Sequence, residues 1–252
     1  MSSFDKYSEY YDLIYKDKDY EAECDFIEQA FKEYSAHTVR TICDGGCGSG
    51  GYSEPLAIRG YEVTGIDLSE TMVKRAQDKT HTGNPRYLVG DLQDFELKSQ
   101  YDAFVSMFAV IGYINGNAGL KKTFKNIHRH LKPGGLFICD VWNGLAVMRN
   151  LPECRVKEVE SEKIKVTRIA IPEMRPEDHV CVVNYKIFIR DKKTGSMEEI
   201  NEKHYMRFFF PQEIQYMLED AGFSVKKICP FMELKGAIDE KKWNMSIIAQ
   251  KK

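Results

Sequence analysis

The sequence predicts an α/β fold, a mostly parallel sheet with helices on both faces. Short apolar runs of strand type alternate strictly with stretches of helical periodicity between residues 39 and 142. A glycine-rich turn joins the first strand to the helix after it, and 252 residues suffice for one such domain with a sizeable insertion.

Taken in order, Asp5 to Glu33 reads as helical, with Tyr7, Tyr11, Ile14 and Tyr15 at helical spacings. VRTICD (39–44) is the first strand and YEVTGID (61–67) the second; SETMVKRAQDK (69–79) is a helix capped by Ser69. RYLVGD (86–91) and YDAFVSMF (101–108) are the third and fourth strands. A helix over Leu120–Leu131 stops at LKPGG, and LFICDVW (136–142) is the fifth strand. The rhythm then changes. Residues 154–209 hold three β-like runs, RVKEVESEKIKVTRIAI, HVCVVNYKIFIRD and EEINEKHYMRFFF, the last two joined by the turn DKKTG (191–195). PQEIQYMLEDAGF (211–223) is a helix, SVKKIC a strand and WNMSIIAQ (243–250) a closing strand. The expected organisation is one domain over 1–252: an N-terminal helical segment (1–35), a core (36–150), an antiparallel β insertion (151–210) and the C-terminal part of the core (211–252).

Composition narrows the partners. Lys and Arg total 36 against 38 Asp and Glu, a net charge of −2. Nucleic-acid binders carry a basic surplus to displace counterions, so a nucleic-acid substrate is not expected. The seven cysteines are scattered without a CxxC pair, which suits a reducing compartment. The opening MSSFDKYSEYYD has no signal-peptide core, and no apolar run approaches the ~20 residues that span a bilayer, so a cytoplasmic protein without a membrane partner is expected. The six histidines, His37, His81, His128, His130, His179 and His204, form no metal-binding pattern with acids, so no metal is expected. His128 and His130, two apart on a helix, point to different faces and read as surface residues.

The segment ICDGGCGSGGYSEPLAIRGYEVTGIDLS carries the chemistry. A strand ends at Asp44, Gly46, Gly48 and Gly50 follow at alternating positions, and a helix begins near Tyr52. Such glycines let main chain turn sharply and approach a ligand. Asp67, at the end of the next strand, stands where an acid can take both hydroxyls of a ribose. Gly46, Gly48 and Gly51 also satisfy the dinucleotide pattern GxGxxG, so a nicotinamide cofactor stays open on this loop alone. Two acids favour a cationic nucleoside instead. Asp44, directly before the loop, would repel a pyrophosphate but welcome an ammonium, and Asp91, after the third strand, could accept from an adenine amino group or simply form a turn.

These residues, with HLKPGGLFICD and the late AGF helix and final strand, resemble the class I S-adenosylmethionine-dependent methyltransferases over nearly the whole chain. The resemblance implies a Rossmann-like seven-stranded sheet in the order 3-2-1-4-5-7-6, strand 7 antiparallel, with S-adenosylmethionine as methyl donor. It implies a cofactor-binding set of Tyr15, Asp44, Gly46, Cys47, Gly48, Asp67, Leu68, Asp91, Leu92 and Met107. Strand four ends in SMFAVIGYI rather than the NPPY or DPPY of base-amino methyltransferases. An amine acceptor need only lose an ammonium proton, whereas an aliphatic alcohol needs a strong base or a metal. Tyr113 is then the candidate to orient an amine or take its proton.

YYDLIYKDKDYEAE, SMFAVIGYI, Trp142, TRIAI with VNYKIF, and FFFPQEIQYMLEDAGFSV further resemble the N-methyltransferases of nucleotide-linked amino sugars. That likeness implies an N-terminal lid with Tyr15 on the cofactor and Tyr11 near the acceptor, Tyr113 facing the amine, and Trp142 walling the sugar or base. The chain departs in having one tryptophan, followed by Asn143, where those enzymes carry a pair, and in lacking their glycine- and arginine-containing loop within KGAIDEKKWNMS. Arg168, Arg175 and Arg207 of the insertion could supply cations for a diphosphate, with Arg207 the substrate-binding candidate, although arginines on β-hairpins are usually solvated. Alternatives are O-methylation of a phenol or carboxylate, a non-catalytic adenosylmethionine-binding subunit, and an NAD-dependent oxidoreductase. The insertion could cover the pocket or join two copies as a homodimer.

Overall fold

The structure, a computed structural model, describes residues 8–80 and 82–252; Tyr7 and His81 lie outside the described residues. The central sheet is built from β1 (Thr41–Gly45), β2 (Glu62–Asp67), β3 (Arg86–Val89), β4 (Tyr101–Ser106) and β5 (Leu131–Asn143), all parallel in the order 3-2-1-4-5. Beyond β5 lie β11 (Asn244–Lys251) and β10 (Phe223–Pro230), both antiparallel to their neighbours. Renumbered without the insertion, this is 3-2-1-4-5-7-6, as expected.

The side chains alternate as a doubly covered sheet requires. Ile42, Ile138 and Ile248 face α2 (Tyr20–Tyr34) and α3 (Ser53–Ile58), packed with Phe26, Ile27 and Leu56. Cys43, Cys139 and Ile247 face the other way, onto α5 (Asn117–His130) and α7 (Pro211–Asp220), packed with Phe124, Leu218 and Phe223. Cys43 and Cys139 are fully buried and serve as small hydrophobes. Between β2 and β3, α4 (Glu70–Lys79) is capped by Ser69, whose Oγ accepts from the Met72 amide at 3.3 Å.

The structure corrects the sequence reading in four places. The N-terminal stretch is two helices, α1 (Ser8–Ile14) and α2, because the chain turns at Tyr15–Asp19 and Asp19 restarts it as an N-cap. The first insertion run is split by a turn at Ser161, whose Oγ accepts from the Ile164 amide, into β6 (Arg155–Glu160) and β7 (Ile164–Arg175). With β8 (Val180–Asp191) and β9 (Met197–Phe209) the insertion is therefore a four-stranded antiparallel sheet. It joins the core where β9 runs parallel to the end of β5, Trp142 beside Phe208. A further short helix, α6 (Gly144–Arg149), follows β5. Finally, the α5 histidines are not surface residues. His130 is buried, its Nε2 accepting from the Leu97 amide at 3.0 Å, and half-buried His128 packs edge-on against Phe223.

Asp102 pins three strands. One oxygen accepts from the Thr41 and Arg40 amides and the Thr41 hydroxyl, and the other from Lys132 Nζ at 2.8 Å. Burial opposes its ionisation, but these donors outweigh it and hold the carboxyl down at about 2. Because the folded value lies below the unfolded 3.8, its stabilisation is complete above 3.8 and lost as pH falls toward 2. Asp102→Ala should therefore cost about 2 kcal/mol or more at neutral pH. Urea titrations should show that deficit shrinking below pH 4.

Candidate active site

The carboxyl ends of β1, β2, β4 and β5 open into one cavity of about 810 Å³, the place where open α/β sheets bind ligands. Its floor is the loop after β1. Gly46 and Gly48 both have left-handed φ, +77° and +54°, and a Cβ on Gly46 would lie 2.4 Å from Val110. Beside Gly48 the space is open, so the main chain itself forms that wall. The loop is held by Ile66 O, which accepts from the Gly46 and Cys47 amides.

Asp67 braces this loop against the start of α4. Its Oδ2 accepts from the Gly48 amide at 2.8 Å and its Oδ1 from the Ser69 amide at 2.9 Å. Burial pushes its carboxyl up, opposed by the amides of Ser69, Gly48 and Leu68. Leu68 stands exposed on the rim, while Leu92 is buried in the wall. Asp91 both lines the cavity and forms an Asx turn, Oδ1 accepting from the Gln93 amide at 2.9 Å.

At the opposite wall β4 is followed by Met107, and then by Phe108 and Ala109 with φ of +69° and +58°. Two consecutive non-glycine residues in this region carry strain, of the kind found at functional sites. A short 3-10 turn, Val110–Tyr113, then delivers Tyr113 to the cavity. Fully buried Asp140 accepts from the Ala109 amide at 3.1 Å and is pushed up to about 6 by burial.

The cavity is roofed by the N-terminal segment and the β insertion. Tyr11 and Tyr15 pack ring to ring at 4.7 Å, and Tyr15 meets Phe108 edge-on at 5.1 Å. Arg168 of β7 donates to the Tyr15 hydroxyl at 2.9 Å. Asp12 of α1 latches this roof to the floor, accepting from Ser49 Oγ at 2.6 Å and pairing with Arg75 and Lys79 at 2.8 and 2.9 Å. Trp142 forms a side wall, and Trp243 packs on it at 5.4 Å. The tryptophan that packs on Trp142 thus comes from the far end of the chain, while Asn143 caps α6.

Sequence reasoning missed a chain of three polar groups. The Tyr113 hydroxyl lies 2.9 Å from His204 Nδ1, and His204 Nε2 lies 3.0 Å from Glu202 Oε2. A carboxylate only accepts, so Nε2 carries the ring proton and Nδ1 accepts from the phenol. His204 is buried, packed edge-on against Tyr185, which also lines the cavity. Tyr113 is 38% exposed, onto the cavity it lines, and desolvation first, then Tyr185, Tyr15 and Glu202, holds its phenol well above the ordinary value. The available signal was Glu202 and His204 two apart on a strand, hence on one face.

Two expected residues are not brought to the cavity. Asp44 is sealed beneath the glycine loop, accepting from Ser53 Oγ at 2.6 Å; burial, with Asp67 adding, pushes it up to about 7. Arg207 is buried against a neighbouring hollow, its guanidinium donating to Glu213 and to Asn115 O. Among the described residues no group of three or more His, Cys, Asp or Glu is arranged to hold a metal, and no helix is long and apolar enough to cross a membrane.

Comparison with known proteins adds relatives. Residues 42–135 match the family described as a methyltransferase domain. The chain is 27% identical over 225 residues to the dTDP-3-amino-3,6-dideoxy-alpha-D-glucopyranose N,N-dimethyltransferase of Streptomyces fradiae, covering 87% of this chain and 84% of that one. It is 25% identical over 226 residues to the ubiquinone biosynthesis O-methyltransferase of Rickettsia akari (strain Hartford), covering 87% and 72%. In fold it is similar to an S-adenosylmethionine-dependent methyltransferase from Clostridium acetobutylicum ATCC 824, with a TM-score of 0.83, 21% identity and 98% of each chain covered. Over residues 42–135 the chain thus matches a methyltransferase domain, and over most of its length it resembles S-adenosylmethionine-dependent methyltransferases, among them an N,N-dimethyltransferase of a nucleotide-linked amino sugar.

Proposed function

We propose that the enzyme N-methylates a small amine, a nucleotide-linked amino sugar. The observation that carries this reading is the Tyr113–His204–Glu202 chain, which could serve as a proton outlet facing the cavity. The likeness to the amino-sugar N,N-dimethyltransferase supports the same class of acceptor.

The cavity residues fit adenosylmethionine. The open main-chain cradle at Gly46, Cys47 and Gly48 would hold the methionine moiety, Asp67 with Leu68 the ribose, and Asp91 with Leu92 the adenine. Met107 and Tyr15 would flank the methyl group, where aromatic faces attract a sulfonium. About 810 Å³ accommodates this ligand with a small acceptor. When bound, the cofactor supplies an activated methyl group. The residues of the chain then have two tasks, alignment and proton removal. Alignment alone is worth ~7–11 kcal/mol. Transfer of that methyl group to the amine nitrogen would leave the nitrogen with a positive charge and a proton to lose. That proton passes to Tyr113 Oη, the phenol's own proton moves to His204 Nδ1, and Glu202 stabilises the imidazolium. Tyr11 and Trp142 would bound the acceptor.

In this reading 1–252 works as one domain with α1 as lid and the β insertion as roof. Asp12→Ala unlatches the lid, and stopped-flow release of adenosylhomocysteine should be several-fold faster than in the parent. Equal release rates would make Asp12 a brace only.

A thermal-shift screen tests the function. Adenosylhomocysteine at 100 times its dissociation constant should stabilise the protein by about 2.7 kcal/mol, and NAD should not. Turnover on a dTDP-linked amino sugar and none on catechols or carboxylates supports N-methylation. The reverse pattern would favour the O-methyl reading suggested by the ubiquinone-pathway relative.

A further inference from the structure

The end of β5 and the start of β11 lie side by side, Trp142 opposite Asn244, and both residues line the cavity. Between this pair and the strained turn after β4 sits Asp140, fully buried. Its Oδ1 accepts from the Ala109 amide at 3.1 Å and its Oδ2 from Asn244 Nδ2 at 2.9 Å. An ionised carboxylate can only accept, so the Asn244 amide has one allowed orientation, nitrogen toward Asp140 and oxygen away. Among the described residues nothing donates to that oxygen. Beside the Trp142 indole the cavity wall therefore holds a fixed acceptor.

We infer that Asn244 is a specificity-determining residue whose Oδ1, oriented by Asp140, accepts a hydrogen bond from a hydroxyl or amine of the acceptor's sugar ring beside Trp142. This rests on the proposed amino-sugar function. A site built to accept from a ligand donor rejects an analogue lacking it, because the buried acceptor is left unpaired. Asp140 is a positioning residue here. It acts through Asn244 and, on its other oxygen, holds the Ala109 amide in the left-handed turn.

The test is calorimetric binding of dTDP-3-amino-3,6-dideoxy-alpha-D-glucopyranose to the complex with adenosylhomocysteine, at pH 8, where Asp140 at about 6 is ionised. Asn244→Ala should weaken the sugar by about five- to tenfold, the loss of one hydrogen bond, with adenosylhomocysteine affinity unchanged. Asp140→Asn frees the amide to rotate and should weaken the sugar similarly. In the Asn244→Ala background it should add less than about twofold, because the two act as one unit. Undiminished sugar binding by Asn244→Ala overturns the inference, and this variant decides alone if Asp140→Asn does not fold. Additive losses overturn the orienting role of Asp140. A parent complex that binds adenosylhomocysteine but not the sugar overturns the assigned ligand class. Failure to bind adenosylhomocysteine at all overturns the proposed function instead.

Discussion

Asp67→Ala is expected to weaken adenosylhomocysteine by roughly 10- to 150-fold, the equivalent of about 1.5–3 kcal/mol for charge-assisted hydrogen bonds. The effect has two sources. A carboxylate at the end of β2 can take the ribose hydroxyls, and the same carboxylate already ties the Gly48 amide to the Ser69 amide. Removing it would loosen the cradle as well as delete the proposed ligand contact. Asp67→Asn separates the two. Its amide oxygen can still accept from one loop amide, so the loop is partly held while the charge is lost. Calorimetry should rank parent, asparagine and alanine in that order. Unchanged affinity in the alanine variant would leave Asp67 as a loop brace with no part in binding. A fall in melting temperature without a fall in affinity would say the same.

Much of this architecture was legible because it is written locally. The alternation of strand and helix, the Gly46–Gly48 turn and Ser69 as a cap are all short-range signals. The residues that face both ways from one strand, such as Cys43 and Ile42, follow from a period of two. What was not legible is set by tertiary placement. Asp44 looks like a ligand residue in the sequence because it adjoins the glycines, yet its side chain points under the loop to Ser53. Arg207 looks like an available cation, yet Glu213 six residues on takes it. His130 follows the same logic in reverse. It reads as exposed next to Arg129 and is instead drawn inward by the Leu97 amide, 33 residues earlier. The second tryptophan beside Trp142 sits at position 243, brought there by the antiparallel pairing of β11 with β5. No spacing rule reaches across such distances.

The largest effect on turnover should come from the Tyr113–His204–Glu202 chain. Tyr113→Phe removes the hydroxyl through which this chain would take an acceptor proton, and kcat should fall by roughly 10²-fold or more. Adenosylhomocysteine affinity should be unaffected, since the lost hydroxyl bonds His204 on the insertion rather than the glycine loop. His204→Gln should cost a similar factor. Its amide can keep a hydrogen bond to the phenol but cannot become a cation paired with Glu202. The decisive variant is the double one. If phenol and imidazole pass one proton in sequence, Tyr113→Phe and His204→Gln together should be little worse than either alone. Multiplied losses would mean that the two side chains act separately, the tyrosine on the acceptor's orientation and the histidine on the packing of β9. A double variant with parental kcat would place proton removal elsewhere, on solvent or on another group lining the cavity such as Asp91.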